Sequence, residues 1–155
     1  MISVSPPPTA ALRLTVALVS VCAFALVLLV TSPPAHAADY WTVMVRATDE
    51  RGQYMPVRNG DAGFGYTKAC QKHNFCNLNL IQATIEGRGD TSDEGGGRFK
   101  YTGHVVGDEV GDVTLIVIGD LNPQTARGAT PDGGPAGVIT AYCAGAPRCP
   151  DPINA

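Results

Sequence analysis

"RFKYTGHVVGDEVGDVTLIVIG", residues 98–119, is the stretch that decides the fold predicted from this sequence. Its first part, Arg98 to Val106, and its last part, Val113 to Gly119, are rich in the β-branched and aromatic residues that favour strands. Between them, "GDEVGD" is polar and contains two glycines, which is typical of a turn. The stretch therefore predicts a β-hairpin with an apolar second strand.

Strand patterns also occur on both sides of this hairpin. "YWTVMVRAT" (40–48) alternates apolar and polar residues and predicts a first strand, and "VITAYC" (138–143) predicts a last one. The intervening segments 49–63, 88–97 and 120–137 are rich in glycine, proline and polar residues. We expect turns and loops there.

Two segments before the hairpin predict short helices. Residues 67–74 contain no proline and few β-branched residues. Leu78, Ile81 and Ile85 are spaced three and four apart and are followed by Gly87, which is typical of a short amphipathic helix. Because this segment also contains β-branched residues, a strand is the alternative for residues 78–87. The element order predicts an α+β fold, with short helices packed on a four-stranded antiparallel β-meander that is stapled by disulfides.

The N-terminus has the pattern of an export signal. An uncharged apolar run, Leu14 to Val30, is followed by the small-x-small sequence Ala35-His36-Ala37. We therefore expect a signal peptide at residues 1–37 and one secreted domain at residues 38–155, with no stable membrane association after cleavage. An uncleaved membrane anchor is the alternative.

The charge balance argues against a chain-wide attraction to nucleic acids. Loss of Arg13 with the signal would leave ten Lys and Arg residues against fourteen Asp and Glu, a net charge near −4. An anionic substrate would therefore need a local basic site. Residues 58–73 supply Arg58, Lys68 and Lys72, with Asp61 as their one acidic residue.

Four cysteines follow the predicted signal peptide. Cys70 and Cys76 have the same spacing as Cys143 and Cys149. An even number of cysteines in an exported chain favours two disulfides, and we expect the local pairs 70–76 and 143–149. The other two connectivities and a zinc site are the alternatives.

Three short motifs carry a family resemblance: "PVRNGDAG" (56–63), "GFGYTKACQKHN" (63–74) and "GVITAY" (137–142). Together they resemble bacterial toxin ribonucleases of the barnase, EndoU, colicin and RelE group, although the export signal and the cysteines depart from the pattern of an intracellular toxin. The resemblance implies a helix that carries a Lys-His pair and packs on a four-stranded antiparallel sheet. It also implies a metal-independent endoribonuclease with an RNA substrate, no cofactor and an immunity or inhibitor protein as partner. We expect a monomer.

The chemistry of such an enzyme selects the candidate residues. Attack on RNA by its own 2′-hydroxyl needs a base, an acid for the leaving 5′-oxygen, and cations on the phosphorane. An imidazole can serve as base or acid near neutral pH. Residues two apart on a strand face the same side and could bind phosphate or stack on a base. The candidate catalytic residues are His73, Lys68, Thr140 and Tyr142, and the candidate substrate-binding residues are Arg58, Lys72 and His104.

Other interpretations compete with the ribonuclease. "CQKHNFC" matches the Cys-x-x-His-x-x-Cys core of secreted phospholipase A2, but Asn74 stands where that family has its calcium-binding Asp. Arg88-Gly89-Asp90 is an integrin-type tripeptide that also occurs by chance. The main alternative is a small exported, disulfide-stapled binding or inhibitor module that uses the loops 88–97 and 120–137. That module does not need His73, Thr140 and Tyr142 to cluster, whereas the ribonuclease does.

Overall fold

The structure is a computed structural model that describes residues 39–155. The predicted signal peptide, residues 1–37, lies outside the described residues. The elements in chain order are β1 (Val43–Thr48), β2 (Tyr54–Arg58), α1 (Gly65–His73), α2 (Leu78–Glu86), β3 (Thr91–Gly95), β4 (Arg98–Gly107), β5 (Gly111–Asp120), β6 (Gln124–Thr125), β7 (Gly128–Ala129), β8 (Gly137–Cys143) and a final 3-10 helix (Asp151–Asn154).

The main sheet has four antiparallel strands in the order β3-β4-β5-β8, and β1-β2 and β6-β7 form separate two-stranded ribbons. The predicted α+β class, the four-stranded sheet and the central hairpin are confirmed. The membership of the sheet differs from the expectation, because β1 pairs with β2 and its place in the sheet is taken by β3.

Two strands lie where loops were expected. β2 contains Pro56, which lacks a backbone donor but is tolerated because β2 is hydrogen-bonded to β1 alone. β3 has the sequence "TSDEG" and lies at the edge of the sheet, where a polar strand needs no apolar alternation. Neither strand shows the pattern of a buried strand in the sequence.

Both predicted helices are confirmed, and each has an asparagine at one end. Asn74 follows α1 in the left-handed conformation (φ 54°, ψ 38°), which asparagine adopts more readily than most residues. Asn77 precedes α2, and its side chain accepts a hydrogen bond from the Leu80 amide. Residues 78–86 are helical, so the strand alternative for residues 78–87 is wrong, and Ile81 and Ile85 are buried as the spacing predicts.

The two faces of the sheet differ. Phe99 and Tyr101 of β4 and Leu115 and Val117 of β5 are buried in the core with α2. Residues that alternate with them point to the opposite face, and the register aligns Lys100 with Ile118 and Thr140, and Thr102 with Ile116 and Tyr142. We call this the outer face; its residues are Lys100, Thr102, His104, Ile116, Ile118, Thr140 and Tyr142.

The four cysteines form the two expected local disulfides. Cys70 pairs with Cys76 and Cys143 pairs with Cys149, with Cα atoms 4.4 and 5.3 Å apart. The crossed connectivities and the zinc alternative are therefore wrong. Among residues 39–155, no helix is both long and apolar enough to cross a membrane.

Candidate functional site

α1 packs against β8, the edge strand of the main sheet. Ala69 of α1 is buried in the same core as Ala141 and Cys143 of β8, and Gly65 is buried at the start of the helix. The last residue of α1, His73, lies beside Tyr142 of β8, with ring centroids 5.6 Å apart and ring planes inclined by 44°. The fold thus brings together two of the candidate residues, which are 69 positions apart in the sequence.

The second disulfide loop, residues 143–149, holds the end of α1. The Cys149 amide donates to the His73 carbonyl at 2.7 Å, and an Arg148 guanidinium nitrogen donates to the Gln71 carbonyl at 3.0 Å. The side-chain amide of Asn74 donates to the Cys149 carbonyl at 2.9 Å. Both disulfide loops therefore meet at His73.

Cationic side chains without an acidic partner surround this histidine. Lys68 and Lys72 come from α1, and Arg148 comes from the second disulfide loop. Five other basic residues of the described chain form ion pairs with carboxylates. Within residues 39–155, no carboxylate lies within ion-pair distance of Lys68, Lys72 or Arg148. The site is a local positive region on an acidic protein, which an anion would neutralise.

This environment changes the titration of two groups. Burial lowers the pKa of His73 below 6.5, and the charges of Lys72, Lys68 and Arg148 lower it further, while a hydrogen bond to the Pro147 carbonyl acts in the opposite direction. Burial also lowers the pKa of Lys68, and the charges of Lys72 and Arg98 add to that effect. At neutral pH His73 is therefore mainly the free base, and Lys68 is a stronger acid than an ordinary lysine.

Thr140 shares the outer face with Tyr142. Its side chain is buried, and its hydroxyl oxygen has no hydrogen-bond partner among residues 39–155. Buried hydroxyls in folded proteins usually have a partner, because an unpaired one costs about 1–3 kcal/mol. The strand thus presents one unsatisfied polar group two residues from the His73 contact.

Arg58 does not belong to the cationic site, contrary to the expectation that it binds substrate. Its side chain is 2% exposed, and its guanidinium donates to the carbonyls of Trp41, Pro135 and Ala136 and to both carboxylate oxygens of Asp132. All these partners are internal. Arg58 therefore has a structural role: its hydrogen bonds connect the start of the described chain with the segment before β8.

His104 is also separate from the site. It lies on the outer face, as its alternation with Phe99 and Tyr101 predicts, and its ring nitrogen is 3.3 Å from the Thr114 hydroxyl. Two strand spacings and two residues along the strand separate it from Tyr142, or about 12 Å between Cα atoms. Among residues 39–155, no ring contact or hydrogen bond links His104 to the His73–Tyr142 pair.

Three residues of the site were not predicted: Arg98, Pro147 and Arg148. Each comes from a segment distant in sequence from His73 and reaches the site through the pairing of β4, β5 and β8 or the docking of the second disulfide loop. The equal cysteine spacing indicates that this loop exists. It does not indicate where the loop docks.

No protein-family model matches this sequence, and no curated protein matches it. Residues 39–155 contain no group of three or more His, Cys, Asp or Glu side chains placed to hold a metal ion. The interpretation of the site therefore depends on its own geometry and charge.

Proposed function

We propose that this protein is a secreted endoribonuclease that cleaves RNA through attack by the 2′-hydroxyl. The observation that carries the proposal is the contact of His73 with Tyr142 inside a group of cations that have no carboxylate partner in the described chain. Unpaired cations attract a polyanion such as RNA, and the neutral imidazole among them can remove a proton. Two local disulfides are compatible with an oxidising, extracellular compartment.

The proposed step uses His73 as base and Lys68 as acid. The imidazole takes the 2′-hydroxyl proton as the 2′-oxygen bonds to phosphorus, and the bond from phosphorus to the 5′-oxygen breaks. The Lys68 ammonium protonates that leaving oxygen, so the products are a 2′,3′-cyclic phosphate and a free 5′-hydroxyl. The lowered pKa of His73 keeps its imidazole in the unprotonated form that a base needs, and the lowered pKa of Lys68 makes its ammonium a better proton donor to the leaving oxygen.

The remaining groups act on the phosphate and the neighbouring base. Lys72 and Arg148 would offset the charge that develops on the phosphorane oxygens. The Tyr142 ring would stack on a base, and the unpaired Thr140 hydroxyl would donate to a phosphate oxygen. A binding module would use the same cations to hold an anionic partner, but it has no need for the imidazole between them.

The test compares an RNA oligonucleotide with a DNA oligonucleotide of the same sequence, in EDTA, with both disulfides intact. We expect cleavage of the RNA alone and a 2′,3′-cyclic phosphate on the product, because the DNA lacks the attacking hydroxyl. Cleavage of both strands, or RNA products with a 5′-phosphate, would contradict this mechanism. Binding of both strands with no cleavage would favour the binding module.

A further inference from the structure

A cavity of about 600 Å³ lies at one end of the main sheet, and none of the proposed catalytic residues lines it. Its apolar surface is a small second core that contains Tyr40, Phe64, Ala136 and Ile139. The rings of Tyr40 and Phe64 are stacked, with centroids 5.5 Å apart and planes inclined by 29°. This volume is within the range of small-molecule sites, about 300–1,000 Å³, and the stacked rings favour a flat ligand.

The rim of the cavity is polar. Two ion pairs lie on it, Arg127 with Asp61 at 2.6 Å and Arg98 with Asp120 at 3.6 Å. The exposed side-chain amide of Gln124 also lines the cavity and has no hydrogen-bond partner among residues 39–155. An apolar floor with donors and acceptors at its edge matches a ligand whose faces are aromatic and whose edge is polar.

The cavity lies next to the cationic site, and Arg98 belongs to the surroundings of both. Phe64 immediately precedes α1, and within α1 Lys68 and Lys72 are four residues apart, so they lie on one side of the helix about 6 Å apart along its axis. Arg98 lines the cavity, and its charge acts on Lys68. On β8, Ile139 lines the cavity three residues before Tyr142, a distance of about 10 Å along a strand.

We infer that this cavity binds one nucleobase of the RNA strand whose phosphate lies at Lys68 and His73, and that it gives the enzyme a base preference. The base would lie beside the Tyr40 and Phe64 rings and the Arg127 guanidinium, which packs 5.1 Å from the Tyr40 ring centroid. Its polar edge would meet Gln124 and the two ion pairs of the rim. This inference rests on the proposed function. The spacing along α1 and β8 fits a base and a phosphate of neighbouring nucleotides in one extended strand.

The test measures binding of the four 3′-nucleoside monophosphates, which need not be cleaved to bind. Trp41 is the one tryptophan of the sequence and touches Tyr40 at 4.7 Å between ring centroids, so its fluorescence reports on the cavity. We expect saturable quenching and at least about a tenfold difference in affinity among the four nucleotides, since edge recognition of a base is worth about 1–3 kcal/mol.

Filling the cavity should abolish this preference. Ala126→Phe places a ring in the cavity from an exposed position, and Ala62→Phe does so from a different loop. Ala83→Phe adds the same ring at an exposed position of α2 that does not line the cavity and serves as the matched control. We expect the first two variants to weaken binding of the preferred nucleotide at least about tenfold and the control to leave it unchanged.

Equal affinity for all four nucleotides, or binding that neither filled variant weakens, would overturn the inference. The cleavage assay separates this failure from failure of the proposed function. RNA cleavage with no base-dependent binding would remove the base site alone. Base-dependent binding at the cavity without RNA cleavage would remove the catalytic proposal and leave a nucleotide site.

Discussion

The imidazole of His73, at the end of α1, lies 5.6 Å from the ring of Tyr142 on the edge strand of the main sheet. The second disulfide loop fixes this contact, because its Cys149 amide is hydrogen-bonded to the His73 carbonyl. A two-turn helix is not stable alone in water, so its packing on β8 and this loop determine where the imidazole lies. The contact therefore depends on tertiary structure and on oxidised cysteines.

We predict that the pKa of His73 is below 6.5 and that neighbouring cations help to keep it there. Lys72→Gln removes a charge that disfavours the imidazolium, so the pKa should rise toward its ordinary value. Arg46→Gln removes an exposed charge on β1 that does not act on His73 and should leave the pKa unchanged. An NMR titration of the histidine ring protons measures the pKa of His73 in the wild type and in both variants. A His73 pKa at or above 6.5 in the wild type would refute the prediction.

Thr140→Val tests whether the unpaired hydroxyl serves a ligand. The substitution removes a buried polar group that has no partner, so the free energy of unfolding should stay the same or increase by up to about 1 kcal/mol. Loss of a hydrogen bond to a charged phosphate should lower kcat/KM for RNA by about tenfold or more. Denaturant unfolding and initial-rate kinetics measure the two effects. A stable variant with unchanged kcat/KM would remove Thr140 from the site.

Lys72→Ala should weaken RNA binding and make it less sensitive to salt. Each phosphate contact to a single strand contributes about 0.7 to the slope of log affinity against log salt concentration, so the slope should fall by about that amount. Arg88→Ala, which removes an exposed cation in the loop before β3, is the control and should leave the slope unchanged. Fluorescence anisotropy with an uncleavable 2′-deoxy oligonucleotide gives the slope for the wild type and for both variants. Equal slopes for Lys72→Ala and the wild type would exclude this contact.

Arg58→Met should destabilise the fold by about 3 kcal/mol, because three backbone carbonyls and one carboxylate lose their donor. Asp132→Asn should cost less, within about 1 kcal/mol, because residue 132 is half-exposed and the Arg58 guanidinium keeps its three backbone carbonyl acceptors. Urea unfolding of both variants measures the difference. A loss below 1 kcal/mol for Arg58→Met would contradict the structural role of this residue.

The fold was predictable where a local pattern reports burial. In β4, β5 and β8, the β-branched residues and their alternation reflect which face of each strand is buried. In α2, the spacing of Leu78, Ile81 and Ile85 reflects which side of the helix faces the core. β2 and β3 were not predictable because one contains a proline and the other is a polar edge strand. Their pairing depends on partners distant in sequence.

The site was predictable only in part for a similar reason. Lys68, Lys72 and His73 are neighbours in one helix, so the sequence shows them together. The sequence also groups Arg58 with them, but proximity in sequence does not indicate that its side chain is buried against Asp132. Arg148 reaches the site from 75 residues away, through the docking of a loop that no local pattern specifies.

The most direct test of the central claim is the cleavage rate of one short RNA by three proteins: wild type, His73→Ala and His104→Ala, measured under single-turnover conditions in EDTA. The two variants lose the same side chain from the two histidines of the described chain, and only His73 lies among the unpaired cations. We expect His73→Ala to slow cleavage by about 10²- to 10⁴-fold and His104→Ala to change it by less than about threefold. Cleavage by His73→Ala at the wild-type rate, or an equal loss in both variants, would contradict the account.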